Sequence, residues 1–145
     1  MECTIPVPFG TNESEMIKEI LASSKKIAIV GLSPDETKDS HRVAKYLQSV
    51  GYEVIPVYPK EDFILGQKVY RSLVDITGGV DIVNVFRKGD ALSGIIEESA
   101  GIGARLVWGQ IGCQSEEAEG VAKELCVKLV ENKCLMVEHK KFFGN

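Results

Sequence analysis

The amino-acid sequence predicts an α/β fold: a doubly wound parallel sheet of about five strands with flanking helices, in a single domain. Three observations carry this. Short apolar runs alternate along the chain with segments whose apolar residues recur at helical spacing. The runs are apolar throughout, as expected of strands covered on both faces. The helical segments between them are spaced as crossovers in a parallel sheet.

The elements follow in order. Pro6, Pro8 and Gly10 make residues 1–12 an expected irregular arm, with the domain proper over residues 13–145. Asn12 or Ser14 can cap a short helix carrying Met16, Ile17, Ile20 and Leu21 on one side. Ile27 to Val30 is the first strand, and it ends at Gly31. After a polar loop, a helix is expected from near Ser40. Val43, Ala44, Leu47 and Val50 form its apolar face, and Gly51 ends it. Glu53 to Tyr58 is the second strand and runs into Pro59 and Lys60. Gly66 to Ile76 is a connection, with a short helical turn expected over Ser72 to Asp75. Val80 to Phe86 is the third strand, and Ala91 to Ile102 a helix with Ile95, Ile96 and Ser99 inward. Arg105 to Trp108 is the fourth strand. Ser115 caps the next helix, whose first turn holds Glu116 and Glu117 at the positive end of the helix dipole. Cys126 to Val130 is the fifth strand, and Lys133 to Asn145 shows no clear pattern. Right-handed crossovers put the first strand centrally, with an expected order of 3-2-1-4-5 by strand count.

Bulk properties bound the function. A chain of 145 residues suffices for one domain and one stable core. The net charge of −4 gives no general attraction for nucleic acid, so any anion site must be built locally. There is no apolar run long enough to span a bilayer and no basic leader followed by an apolar stretch, so a cytoplasmic location and no membrane partner are expected. Cys3, Cys113, Cys126 and Cys134 form no CxxC pair, and His41 and His139 are the two histidines, so no metal site is expected.

In doubly wound sheets, ligands bind outside the carboxyl ends of the strands, near the point where strand order reverses. Gly31 lets backbone approach a ligand and permits positive φ. The following helix presents free N–H groups and the positive end of its dipole. Ser33, Ser40, His41 and Arg42 can add donors. Together with Leu32 they make a candidate pyrophosphate cradle; the plainer reading is a solvated βα turn.

The loop type restricts the ligand. SPDETKDS lacks the later glycines of GxGxxG and the glycine before Lys-Ser/Thr of a Walker A loop. NAD recognition wants an acid at the end of the second strand, to accept from the ribose 2′-OH. This chain offers Tyr58, Pro59 and Lys60 instead. Lys60 suits a ribose phosphate, which points to NADP or coenzyme A. At the third strand end, Phe86 could flank an adenine, and Arg87 and Lys88 could face phosphate. At the fourth, Gln110 and Gly112 in a glycine-flanked turn could line a channel for an extended amide chain. Trp108 beside them is better read as core.

The motifs IAIVGLSPDETKDSHRVAKYLQSVGYEVIPVYPK, VDIVNVFRK, LVWGQIG and ENKCLMVEH carry a family resemblance. The chain resembles the small stand-alone CoA-binding domain proteins, similar to the amino-terminal domain of the succinyl-CoA ligase alpha subunit. That resemblance implies a Rossmann-like fold that binds coenzyme A, or an acyl-CoA, through its ADP half. Gly31, Leu32 and Ser33 would meet the pyrophosphate, Pro59 and Lys60 would hold the 3′-phosphate, and the third strand end and the WGQIG turn would line the rest. Nothing matches the ligase domain with its phosphorylatable histidine. Asn132 and Lys133 stand where the family pattern has Asp-Arg before the cysteine.

No spacing argues for a catalytic constellation. Cys113 follows a glycine turn near a helix start, which would lower its thiol pKa and let it meet the thiol of the ligand; the plainer reading is a small, buried, inert cysteine. The expected function is a nucleotide-binding module that binds, carries or senses CoA, with a protein partner or a second copy of the chain as further candidates. The alternative is an NADP-binding, oxidoreductase-like or redox-sensing protein.

Overall fold

The computed structural model describes residues 13–144. The chain runs α1 (Glu13–Ser23), β1 (Lys26–Val30), α2 (Asp39–Ser49), β2 (Glu53–Val57), β3 (Phe63–Ile64), β4 (Gln67–Lys68), β5 (Ile82–Val85), α3 (Leu92–Gly101), β6 (Leu106–Gly109), α4 (Glu116–Leu125), β7 (Lys128–Val130) and α5 (Leu135–Phe143). Short 3₁₀ turns cover Leu73–Asp75 and Gly89–Ala91. The five-stranded sheet is parallel in the order β2-β1-β5-β6-β7, and β3 and β4 form a separate antiparallel pair.

Each apolar run divides its residues between two cores by parity. Ala28 and Val30 of β1 pack with Val83, Val85 and Val107 beneath α3 and α4. Ile27 and Ile29 pack on the other face with Leu106, Trp108 and the buried sides of α1, α2 and α5. A strand that must feed both faces has no polar position to spare, so the run is continuous. Among the described residues, no helix is long and apolar enough to cross a membrane.

The structure corrects the expected strand order. By strand count it is 2-1-3-4-5, because β5 pairs with the edge of β1 opposite β2, in the register Ile27↔Ile82. The position outside β2 is taken by the segment around Tyr70. Tyr70 N–H donates to Pro56 O at 3.0 Å, and Tyr58 N–H to Tyr70 O at 3.0 Å. Pro56 has no N–H for a ladder, which suits a strand flanked by only one full neighbour.

Other boundaries also move. Ser14 lies inside α1, while Asn12 and the arm lie outside the described residues. The fifth strand is shorter than expected because Cys126 caps α4 in the left-handed region, at φ 59°. The tail forms α5, which packs against α1 and α2.

Candidate functional site

The order reversal puts the switch point between the carboxyl ends of β1 and β5. Gly31, at φ +86°, follows β1, and its N–H donates to Val57 O at 2.9 Å. A Cβ there would sit 2.7 Å from the Phe86 carbonyl oxygen and 3.4 Å from Arg87 Cδ. Only glycine lets the β5 end and the Arg87 stem lie this close. Beside this contact opens a cavity of about 290 Å³. Val30, Val57, Leu73, Ala91, Gly94 and Ile95 line it with apolar or small groups. Arg71, Arg87, Ser72 and Glu98 supply its polar groups.

The loop from Gly31 to α2 is held by its own side chains. Ser33 N–H donates to Ser40 Oγ at 3.0 Å, and Ser33 O lies 2.9 Å from His41 Nδ1. Asp35 N–H donates to Ser33 Oγ at 3.0 Å. Asp35 accepts from the Thr37 hydroxyl and N–H, and those bonds hold its carboxyl below the ordinary range. The residue before α2, Lys38, makes no side-chain cap. The first N–H groups of α2 are therefore left without a helix-capping side chain at the strand end. Ser40 and His41 are buried and shape the loop, whereas Arg42 is exposed and bonded to Asp39. The Leu32 side chain is wholly buried in the core, so only its backbone can face a ligand.

The end of β2 is organised by a residue far along the chain. Arg71 Nη1 donates to the carbonyls of Glu61 at 2.7 Å, Lys60 at 3.2 Å and Tyr58 at 3.4 Å. Arg71 Nη2 lies 3.7 Å from Asp62 Oδ1. These bonds hold a tight loop in which Glu61 is left-handed, at φ 68°. Lys60 and Pro59 project from it, exposed, and Lys60 makes no ion pair among the described residues.

A larger hollow of about 640 Å³ lies along α4 and β7, at the sheet edge rather than at the switch point. It places the carboxylates of Glu13, Glu119 and Glu131 against Lys123 and Lys133. Burial pushes the Glu131 carboxyl up, and Glu119 adds to the shift. That lining suits an anion poorly. The smaller cavity, with its two guanidinium groups, is the better candidate.

Residues 25–140 match the model of the CoA binding domain family. The chain belongs to this family. It is 46% identical over 123 residues to the uncharacterized protein YneT of Bacillus subtilis (strain 168), covering 85% of this chain and 91% of that one. A solved structure, a hypothetical protein from Pyrococcus horikoshii OT3, superimposes with a TM-score of 0.87 at 40% identity, covering 99% of this chain and all of that one (100%). The chain is also 25% identical over 119 residues to an acetate–CoA ligase (ADP-forming) of Methanocaldococcus jannaschii, and there it spans only 17% of the ligase. The match covers 77% of this chain.

Within this CoA-binding domain, the structure gathers some sequence-predicted residues and separates others. Gly31 and Arg87 meet at the cavity, and Arg71 ties the loop of Tyr58, Pro59 and Lys60 to its rim. Lys88 is exposed beside them, at the start of a 3₁₀ turn. The Phe86 ring packs into the core on the α1, α2 and α5 face and does not line the cavity. Gln110 is buried, and its Oε1 accepts from Asn84 Nδ2 at 3.1 Å and from Leu135 N–H at 2.9 Å. Gly112 N–H donates to Asn132 Oδ1 at 2.7 Å, and Trp108 Nε1 donates to Lys133 O at 2.8 Å. The polar groups of the WGQIG turn thus anchor the chain before α5.

Cys113 departs from the lowered thiol pKa expected near a helix start and matches the plainer reading of a buried cysteine. Its free thiol is 2% exposed. Burial, and then the Glu131 charge, push its pKa up, not down as a helix start would. A buried, protonated thiol is a poor partner for disulfide exchange.

Sequence reasoning missed Arg71, Ser72 and Glu98. Arg71 reaches the site only because the β3–β4 pair returns the chain to the β2 end. Glu98 carried a faint signal: it lies three residues after the inward Ile95, on the margin of the apolar stripe of α3.

Proposed function

We propose that this protein binds coenzyme A, or an acyl-CoA, through its 3′-phospho-ADP and pyrophosphate, in the cytoplasm. The domain acts as a binding, carrier or sensing module, holding the cofactor for a protein partner or a second copy of itself. The observation that carries the reading is the switch-point crevice of a CoA-binding family member. There Gly31 abuts Arg87 beside an open cavity with a second guanidinium, Arg71, on its rim.

Each part answers a part of the ligand. The uncapped start of α2 and the Gly31–Ser33 backbone offer N–H donors to the pyrophosphate. Lys60, exposed and unpaired among the described residues, offers its ammonium to the 3′-phosphate. Ser40 and His41 support the loop from behind. The side chains near the crevice supply no activated nucleophile: Cys113 is buried with a raised pKa, and His41 Nδ1 is engaged by Ser33 O.

A thermal-shift panel with CoA, acetyl-CoA, dephospho-CoA, NADPH and NADH tests the reading. A ligand bound to the folded state alone raises the midpoint by mass action. CoA should stabilise more than dephospho-CoA, and NADH not at all. Stabilisation by NADPH without any by CoA would overturn the proposal.

A further inference from the structure

The cavity beside Gly31 holds an arrangement that phosphate binding does not use. Ser72 precedes the 3₁₀ turn Leu73–Asp75 in the position of a cap, yet its hydroxyl makes no bond to that turn. Ser72 Oγ instead donates to Glu98 Oε1 at 3.2 Å, across from α3. The bond spends a natural cap on orienting a carboxylate. Glu98 is half-buried, and neither Arg71 nor Arg87, which line the same cavity, forms an ion pair with it. Glu98 Oε2 has no protein donor among the described residues. The cavity therefore combines a hydrogen-bond acceptor, two guanidinium groups and the apolar side chains of Val30, Val57, Leu73 and Ile95 in one lining.

This polarity selects a ligand chemistry. A flat apolar ring would pack between the aliphatic side chains. A group at its far edge should donate a hydrogen bond to Glu98. Anionic groups at its near edge should face Arg87, Arg71 and the Gly31 loop. A 6-aminopurine nucleotide has all three features. A 6-oxopurine in the same pose sets a carbonyl oxygen against the carboxylate, and it must shift along the ring edge to offer its N1–H instead. We infer that Glu98, oriented by Ser72, reads the exocyclic amine of the purine base, so that the cavity discriminates adenine from hypoxanthine. The inference rests on the CoA reading, since it places the adenine of that ligand.

A site built to pair a donor rejects the analogue that lacks it, because its own buried polar group is left unpaired. The loss is largest where water is excluded. Glu98 is half-buried, so the discrimination lies toward the low end of what such pairs achieve, about tenfold or more.

Isothermal titration of adenosine 3′,5′-bisphosphate and inosine 3′,5′-bisphosphate into the wild-type protein and Glu98→Gln tests this. The wild type should prefer the adenosine ligand at least about tenfold. Glu98→Gln can accept or donate at the same place, so the ratio should fall to within about threefold of unity, chiefly because inosine binding improves. Ser72→Ala should lower the ratio partway, and it carries the test if Glu98→Gln does not fold. Wild-type binding with the same adenosine-to-inosine ratio in the variants refutes this inference and leaves the CoA reading standing. A wild type that binds neither bisphosphate nor CoA refutes both.

Discussion

Replacing Gly31 by alanine should damage the crevice and the fold together. The added Cβ would sit 2.7 Å from the Phe86 carbonyl oxygen, closer than such atoms come in real structures, and the atom it meets is backbone. Phe86 N–H donates to Val30 O at 2.9 Å and holds the β5 end to β1, while Gly31 N–H donates to Val57 O at 2.9 Å and pins the β1 end to β2. The contact can therefore be relieved only by parting β1 from β5. The left-handed φ alone costs a residue with a Cβ about 1–2 kcal/mol. Overpacking strain adds about 1–3 kcal/mol. A total of roughly 2–5 kcal/mol lowers the midpoint by roughly 5–15 °C for a chain of this size. Gly51→Ala is the control. Gly51 has φ +105° but no atom within 4 Å of a Cβ, so it carries the conformational cost without the clash. Thermal denaturation by circular dichroism reads both variants. If Gly31→Ala melts no lower than Gly51→Ala, the close approach of β1 and β5 is refuted.

Lys60→Glu should weaken CoA by about tenfold to a hundredfold while changing dephospho-CoA little, as a charge-assisted bond of about 1.5–3 kcal/mol predicts; competition titration measures the ratio. His139 lies buried, with Nδ1 2.7 Å from the Tyr46 hydroxyl, and burial lowers its pKa from the ordinary 6.5. The unfolded chain then binds the proton more readily, so stability should be full above about pH 6.5 and decline as pH falls toward the lowered folded value. His139→Gln should flatten that decline in urea titrations between pH 7 and 5. Gln110→Leu should cost about 1–3 kcal/mol, because it strands the Leu135 N–H and leaves Asn84 Nδ2 only its 3.4 Å bond to Trp108 O. It should change CoA affinity by less than about twofold, and urea unfolding beside titration separates the two effects. Cys113 should react with a thiol reagent only as fast as the fold opens, while Cys134, half-buried, reacts sooner; mass spectrometry of the time course decides.

What the sequence revealed, and what it hid, follows from the range of the forces involved. Continuous apolar runs identify the strands because Ala28 and Val30 serve one core while Ile27 and Ile29 serve the other. The close backbone approach at Gly31 is readable because strand, glycine and helix start are adjacent in the chain. Strand order was missed although Pro56 carried the signal, since a proline without an N–H belongs on an edge strand. The role of Arg71 depends on three carbonyls about ten residues away, held by a hairpin too short to register as periodicity. Gln110 and Gly112 stand out in the sequence as polar or small residues at a strand end, but their internal hydrogen bonds were hidden. Their partners, Leu135 and Asn132, come from a tail with no readable pattern. That tail gave no helix start because α5 has no side-chain cap of its own, and the buried Gln110 amide supplies its first acceptor.

A crystal structure of the protein with coenzyme A tests the central claim most directly. The account predicts the ADP half in the crevice between β1 and β5. The pyrophosphate should lie on the Gly31–Ser33 backbone and the start of α2, the 3′-phosphate at Lys60, and the base above Val57 and Ile95. Coenzyme A seated instead in the hollow along α4 and β7, among Glu119, Lys123 and Glu131, would contradict it.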